Sequence, residues 1–374
     1  GISALHVQGQ TIHSFFQFAP QLLQARDIHL QRRLTRLLKS LDVIIIDEIS
    51  MVRADVLDAI DLSLKLHRKN GLPFGGVQML FFGDLFQLPP VVSSVEEKEY
   101  FRTVYPGPYF FNSHVLKHVG NMQMIELTKV YRQTERQFIR LLDELRRVQT
   151  DFETMDELNE RYLPDEEIQE PFLTLCSTNA AAEKINSERL QEITNPSFYY
   201  AATVTGVFSE KIFPTLYKLE LREGAQVMLL RNDPEKKFFN GTLAQIVSLR
   251  EDEIIVRVEK DELKEELLSL PKMTWEINRY TYVEDQTNPI HTELVGSFTQ
   301  YPVKLAWAVT IHKSQGQTYD RVAIDLGRGA FEHGQAYVAL SRCRTLGGLF
   351  LKKPLTPRDI LVDERIEEFY FAMR

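Results

Sequence analysis

Two hydrophobic runs end in residue types that handle phosphate and water. Val43-Ile44-Ile45-Ile46 runs into Asp47-Glu48, and Phe81-Phe82 runs into Gly83-Asp84-Leu85-Phe86-Gln87-Leu88-Pro89-Pro90. Short apolar runs bounded by polar turns read as neighbouring buried strands of a parallel sheet. The C-terminal edge of such a sheet is where α/β proteins bind ligands. In phosphoryl transfer one acid holds Mg²⁺, the next orients or activates the attacking water, and an amide bonds both water and a phosphate oxygen. Asp47, Glu48 and Gln87 have the side chains for those three tasks. Gly83 permits a tight exit from the strand. Pro89-Pro90 makes an extended, rigid segment that presents Gln87 at the edge occupied by Glu48. Each run taken alone is also what a strand ending at a polar turn looks like.

Further segments carry related chemistry. Arg132 in Thr128-Lys129-Val130-Tyr131-Arg132-Gln133 offers a planar guanidinium that clamps a phosphate oxygen in a way Lys cannot. Residues 124–127 before it read as another strand. The stretch 308–318 holds His312, Lys313, Ser314 and Gly316 between two apolar runs, and its donors suit a nucleic-acid backbone. Residues 337–344 read as a short helix ending in two arginines, with Ala336, Leu340 and Cys343 inward and Arg342 toward a cleft. Thr11-Ile12-His13-Ser14-Phe15-Phe16 mixes hydroxyls, an imidazole and aromatics, which suits a single strand with stacked bases. One of the two phenylalanines belongs to the core on this reading. His13 and His312 have no metal-ligand spacing with other His, Cys or acidic residues.

The elements that must position these groups alternate between strand and helix. Strands are expected at 41–47, 78–83, 172–176 and 321–326. Between the first two, Val56, Leu57, Ile60 and Leu64 have helical spacing over 53–69, with Gly71 as the stop. Phe138, Leu141, Leu142, Leu145 and Val148 mark a second amphipathic helix, and Thr178 caps a third that runs through Ile185 and Leu190. Strands feeding helices imply right-handed βαβ units and parallel sheets. From 198 to 300 the pattern changes to short strands, at 226–230, 242–249, 254–258 and 273–283, with turns such as Asn240-Gly241. That is an antiparallel β insertion, with the α/β pattern resuming at Val303. The charged stretch 251–266 reads as a solvated hairpin or surface helix.

Composition limits the remaining classes. At 374 residues the chain is long enough for two or more cored domains. No apolar run approaches a membrane span, and the N-terminus has no signal-peptide pattern. Two cysteines far apart make a disulfide framework or zinc site improbable and fit a reducing compartment. Lys and Arg total 44 against 52 Asp and Glu, a net charge of −8, which argues against a simple nucleic-acid coat but leaves room for a locally positive groove.

In order, these segments resemble the motor motifs of superfamily I DNA helicases of the Pif-one and RecD-like group. Residues 9–16 resemble motif Ia, 46–51 motif II and 82–91 motif III. Residues 127–133 are similar to motif IV, 309–318 to motif V and 336–344 to motif VI. The helix at 56–70 and Pro73-Phe74-Gly75-Gly76 are similar to what the group places between motifs II and III. The resemblance implies an α/β fold of two RecA-like parallel-sheet domains with a small β-barrel inserted in the second. It implies residues 1–120 as the first domain with a duplex-splitting wedge at about 17–39, residues 121–198 and 301–374 as the second, and 199–300 as the insertion. It implies ATP with Mg²⁺ on Asp47, water activation by Glu48, γ-phosphate sensing by Gln87, and Arg132 and Arg342 reaching in from the second domain. Gly316 and Gln317 would approach the nucleotide. Thr11, His13, Phe16, Pro89, His312, Lys313 and Ser314 would contact DNA. The implied activity is 5′→3′ translocation on single-stranded DNA with unwinding of forked duplex, by a monomer in the bacterial cytoplasm or the eukaryotic nucleus.

One motif departs from the group's pattern. No Gly-x-x-x-x-Gly-Lys-Ser/Thr phosphate loop occurs, and the sequence starts at Gly1. Such a loop supplies backbone N–H groups and a cation for the β- and γ-phosphates. The expectation is a fragment of a longer product, or a split protein completed in trans, inactive in ATP hydrolysis by itself and aggregation-prone where its first sheet lacks a strand. The competing expectation is a non-catalytic single-strand-binding module.

Overall fold

The computed structural model describes residues 9–373 except 93, 121, 148, 165–171, 234, 236, 262–263 and 283–289. Among the described residues two short helices, α1 (Ile12–Phe16) and α2 (Arg32–Lys39), precede β1 (Val43–Ile46). Helix α3 (Ala54–Arg68) then crosses to β2 (Gln78–Phe81), and α4 (Val95–Thr103) follows. The strands pair in parallel from Val43 opposite Gln78 to Ile46 opposite Phe81. Helix α3 buries Val56, Leu57, Ile60 and Leu64, the stripe its spacing predicts, against Phe16, Leu34, Leu38 and Ile46. It ends at Lys69 (φ 53°), whose N–H bonds the Lys65 carbonyl, and not at Gly71. Arg68 beside that end gathers the carbonyls of Leu38, Lys39 and Leu41 at 2.7, 3.0 and 3.0 Å, so a cation also satisfies the C-terminus of α2.

The second α/β unit starts with α5 (Arg136–Arg146), α6 (Phe152–Asn159), β3 (Leu173–Cys176) and α7 (Asn179–Glu192), the last capped by Thr178. The antiparallel region follows as β4 (Phe198–Ala201), β5 (Thr203–Gly206), β6 (Lys218–Leu221), β7 (Gln226–Leu229), β8 (Leu243–Leu249), β9 (Ile254–Asp261), β10 (Lys264–Leu270), β11 (Met273–Tyr282), β12 (Ile290–Gln300) and β13 (Val303–Leu305). The α/β unit closes with β14 (Ala308–Thr310), α8 (Ile311–Ser314), β15 (Val322–Asp325), α9 (Gln335–Leu340), β16 (Leu349–Leu351) and α10 (Glu364–Met373). Its strands lie in the order β14-β3-β15-β16, all parallel. Leu173, Leu175, Val322, Ile324, Leu349 and Leu351 are buried in one core with Phe138, Leu141 and Leu340.

Within the insertion, β10-β9-β8-β7-β13 form one sheet, β11-β12-β5 a second, and β4-β6 a ribbon. The charged stretch after Arg250 supplies the hairpin β9–β10. Two expectations are corrected. The strand at Val303 belongs to the insertion, because Val303 pairs antiparallel with Leu229, so the parallel pattern resumes only at Ala308. Residues 124–127 form no strand: they have no ladder partner among the described residues, and Ile125 and Leu127 are 81% and 84% exposed. The last helix also returns to the first unit. Phe369 of α10 stacks on Phe111 at 4.4 Å, and Ile366 and Tyr370 pack with Phe86 and Tyr109.

Candidate active site

Asp47 and Glu48 stand just past β1. Asp47 is exposed, and its Oδ1 accepts the Glu48 N–H at 3.0 Å. Glu48 is a non-glycine residue in the left-handed region, φ 53° and ψ 47°. The next amide, Ile49 N–H, donates to the Phe82 carbonyl at 2.9 Å and fixes that turn. A Cβ on Gly83 would come to 3.0 Å from the same Ile49 nitrogen, so close approach explains this glycine. Backbone held in a sparsely populated region is typical of functional sites. Burial and the neighbouring Asp47 charge raise the Glu48 carboxyl above its ordinary value, with Arg342 and a hydrogen bond from Gln315 pulling the other way. Gln87, four residues past Gly83, is half-buried at the same edge.

The second unit brings its own groups to Glu48. Gln315 Nε2, at the end of α8, donates to Glu48 Oε2 at 3.1 Å and to Gln87 Oε1 at 3.3 Å. Arg132 Nε donates to Thr318 Oγ1 at 2.9 Å, and the Glu48 charge acts on it. Arg342 is 1% exposed and held by the helix before it and its cap, its Nε on the Val338 carbonyl at 2.9 Å and its second amine on Ser341 Oγ at 2.7 Å. Burial, then the Arg132 charge, lowers Arg342 to about 10, so it stays cationic at neutral pH. Helix α9 ends at Leu340, so Arg342 lies in the turn beyond the helix that the sequence pattern extends through 344. Ala336, Leu340 and Cys343 face the core as expected.

Residues not singled out from sequence tie the units together at Asp84. Its carboxylate accepts Arg146 at 3.0 Å and the Tyr337 hydroxyl at 3.2 Å. Arg146 also covers the Phe86 ring at 4.9 Å. His333 Nε2 meets the Leu85 carbonyl at 3.1 Å. Gly334 (φ 67°) lies so close that a Cβ there would strike the Phe86 and Gln87 carbonyls. Asp84 and Gln315 sit inside segments the sequence already marked, so position was the available signal. Tyr337 likewise opens the marked segment 337–344, whereas Arg146 and His333 gave no signal, being ordinary helix and loop residues until folded.

The residues expected at nucleic acid divide. Thr11 is exposed, its Oγ1 capping α1 by accepting the Ser14 N–H at 3.3 Å. His13 is half-buried, and burial followed by the Arg53 charge lowers its pKa. Pro89 is half-buried and Lys313 exposed, while His312 pairs with Glu332 at 3.2 Å. Two expectations fail. Phe16 is buried among Phe18, Leu23 and Leu57, so its ring has no free face for a base. Ser314 is fully buried with its hydroxyl on the Ile311 carbonyl at 2.8 Å, spent inside its own turn. Gly316 is exposed (φ 77°), and the Gln317 side chain lies against Gly241 of the insertion.

Comparisons with known proteins bear on the family. The family model described as PIF1-like helicase matches residues 1–156. The chain is 32% identical to "ATP-dependent DNA helicase Pif1" of Bdellovibrio bacteriovorus over 99% of its own length and 80% of the relative's. It spans just over half, 55% and 56%, of a fungal and a vertebrate relative described as ATP-dependent DNA helicase PIF1. A Pif1 structure from a Bacteroides species in complex with ADP-AlF4 aligns with a TM-score of 0.88 and 36% identity, covering 99% of this chain and 85% of that one. Bacteroides Pif1 bound to ssDNA aligns at 0.71 with 38% identity, covering 100% and 85%. Extended similarity to that relative, carried on two parallel sheets meeting at Glu48, Gln87 and Arg342, places the chain in the PIF1-like helicase family.

Proposed function

We propose that this chain is the motor of an ATP-dependent DNA helicase that moves 5′→3′ on single-stranded DNA and opens forked duplex. The observation that supports it most is the convergence at one cleft of Glu48 and Gln87 from the first sheet with Arg132, Arg342 and Gln315 from the second unit. In this reading Glu48 takes a proton from the attacking water, and Gln87 bonds that water and the γ-phosphate. Arg132 and Arg342 meet the phosphate charge from the facing unit. Because the water-handling groups and the arginines belong to different units, closing the cleft completes the site and reopening it dismantles the site.

The donor set suits Mg²⁺. Asp47 presents an exposed carboxylate with one oxygen engaged by a backbone amide, and the described residues hold no cluster of three or more His, Cys, Asp or Glu. Mg²⁺ is commonly bound through one or two carboxylates, with water and substrate phosphates completing the shell. Asp47 would hold the ion, which when bound neutralises charge on the phosphates. Thr11, His13, Pro89, His312 and Lys313 remain the candidates for DNA contact. Phe16 and Ser314 do not, because burial occupies them.

The sequence holds no Gly-x-x-x-x-Gly-Lys-Ser/Thr stretch, so we read the 374 residues by themselves as not competent for turnover. The test is single-strand-stimulated ATP hydrolysis by this chain beside a version extended N-terminally to carry such a loop. Turnover by the extended version alone supports the reading. Turnover by the 374 residues shows that phosphate binding uses other residues, and absence of turnover in both removes the motor assignment.

A further inference from the structure

Gln315 is the point where one side chain touches both water-handling groups. A carboxylate only accepts hydrogen bonds, so the amide nitrogen of Gln315 must face Glu48, which fixes the amide's orientation by chemistry. The same nitrogen reaches Gln87 Oε1, and this turns the Gln87 nitrogen toward Asp84 Oδ2, 3.5 Å away. Donors and acceptors thus line up from Gln315 to Glu48 on one side, and through Gln87 to Asp84 on the other.

Both ends of the bridge are fixed. Gln315 follows α8 in a turn closed by Gln315 N–H on the His312 carbonyl at 3.3 Å and Gln317 N–H on the Ser314 carbonyl at 2.9 Å. Glu48 is fixed by its left-handed backbone and the Ile49–Phe82 bond. Gln315 Oε1 is buried and takes no hydrogen bond from the described residues, so among them one acceptor of the amide stays unused beside the two groups that act on water.

We propose that Gln315 is a positioning residue that latches the two units across the cleft, so that cleft closure and the orientation of Glu48 and Gln87 are a single event. The inference rests on the reading of Glu48 and Gln87 as the hydrolytic pair. Leucine is close in volume to glutamine but offers no hydrogen bond, so Gln315→Leu removes the tie and keeps the packing. The double variant Glu48→Gln/Gln315→Glu exchanges donor and acceptor between positions 48 and 315 and keeps that tie across the cleft, whereas the bond to Gln87 then requires the Gln87 amide to turn over and donate.

The test is the distance between the two units, read by double electron–electron resonance. Spin labels go on Lys69→Cys in the first unit and Lys184→Cys in the second, because both native cysteines are buried. Expected are one short-distance population for the parent, an added longer population for Gln315→Leu, and its disappearance in the exchanged double variant. Gln315→Asn, which keeps the amide but shortens the reach, falls between. An unchanged distribution for Gln315→Leu overturns the latch, and so does a double variant that stays open. The measurement needs no turnover, so a failed hydrolysis test would remove the motor reading and leave this result standing.

Discussion

Glu48 has the features of a residue whose protonation matters. Its carboxyl is half-buried beside Asp47, and both effects favour the protonated form. A base must be ionised to take a proton from water. With its pKa above the usual 4.5, the ionised fraction falls away while the pH is still above that value. The acid limb of DNA-stimulated hydrolysis, measured with the N-terminally extended version, should therefore lie higher than for an ordinary carboxylate. Glu48→Gln should cut the rate by roughly 10²–10⁴-fold and remove that limb. A limb in the ordinary carboxylate range, or one that survives the substitution, would assign it to another group. Gln315 was within a segment already marked, but its reach to Glu48 spans 267 positions of sequence, beyond any local pattern.

At the scale of elements, hydrophobic spacing gave β1, β2, β3, β15 and α3 to within a few residues, because each buries its own stripe against a single core. The strand expected at 124–127 failed for the opposite reason: alternation without a ladder partner makes no strand. The start of α9 shows what contact between elements demands. Gly334 adopts φ 67° and backs onto the Phe86 and Gln87 carbonyls. Gly334→Ala should combine left-handed strain with a backbone clash and cost on the order of 1–3 kcal/mol. Chemical denaturation checks this, and a loss below about 0.5 kcal/mol would mean that the two units separate freely at this point.

For the whole molecule, net charge and surface make separate demands. A body of charge −8 binds a polyanion only through a local positive surface. Affinity for a single-stranded oligonucleotide should fall as salt rises, and Lys313→Ala should reduce the slope of log K against log salt by about 1. Binding indifferent to salt would remove the proposed strand contact. On the first sheet, Ile45 and Phe82 are 64% and 51% exposed, with Val43 and Leu80 also exposed. Apolar residues displayed along a two-stranded pair invite association. Sedimentation velocity should show self-association that weakens in the Ile45→Thr/Phe82→Thr double variant. A parent monomeric at all concentrations would contradict this.

The sequence by itself determined which chemistry was available. Asp47-Glu48 after one strand and Gln87 after another follow from apolar runs that must set one face on a core and polar groups that cannot be buried there, a constraint local enough to read. It also set the family, because ordered motifs survive in the chain whatever their distance in space. Tertiary structure alone decided which groups meet. Phe16 and Ser314 turned inward because core packing and a helical turn claimed them. Val303 joined the insertion because its partner Leu229 lies 74 residues earlier. Gln315, Arg146, His333 and Tyr337 became parts of one junction because two separate sheets dock there, and contacts between units leave no periodic trace in either one.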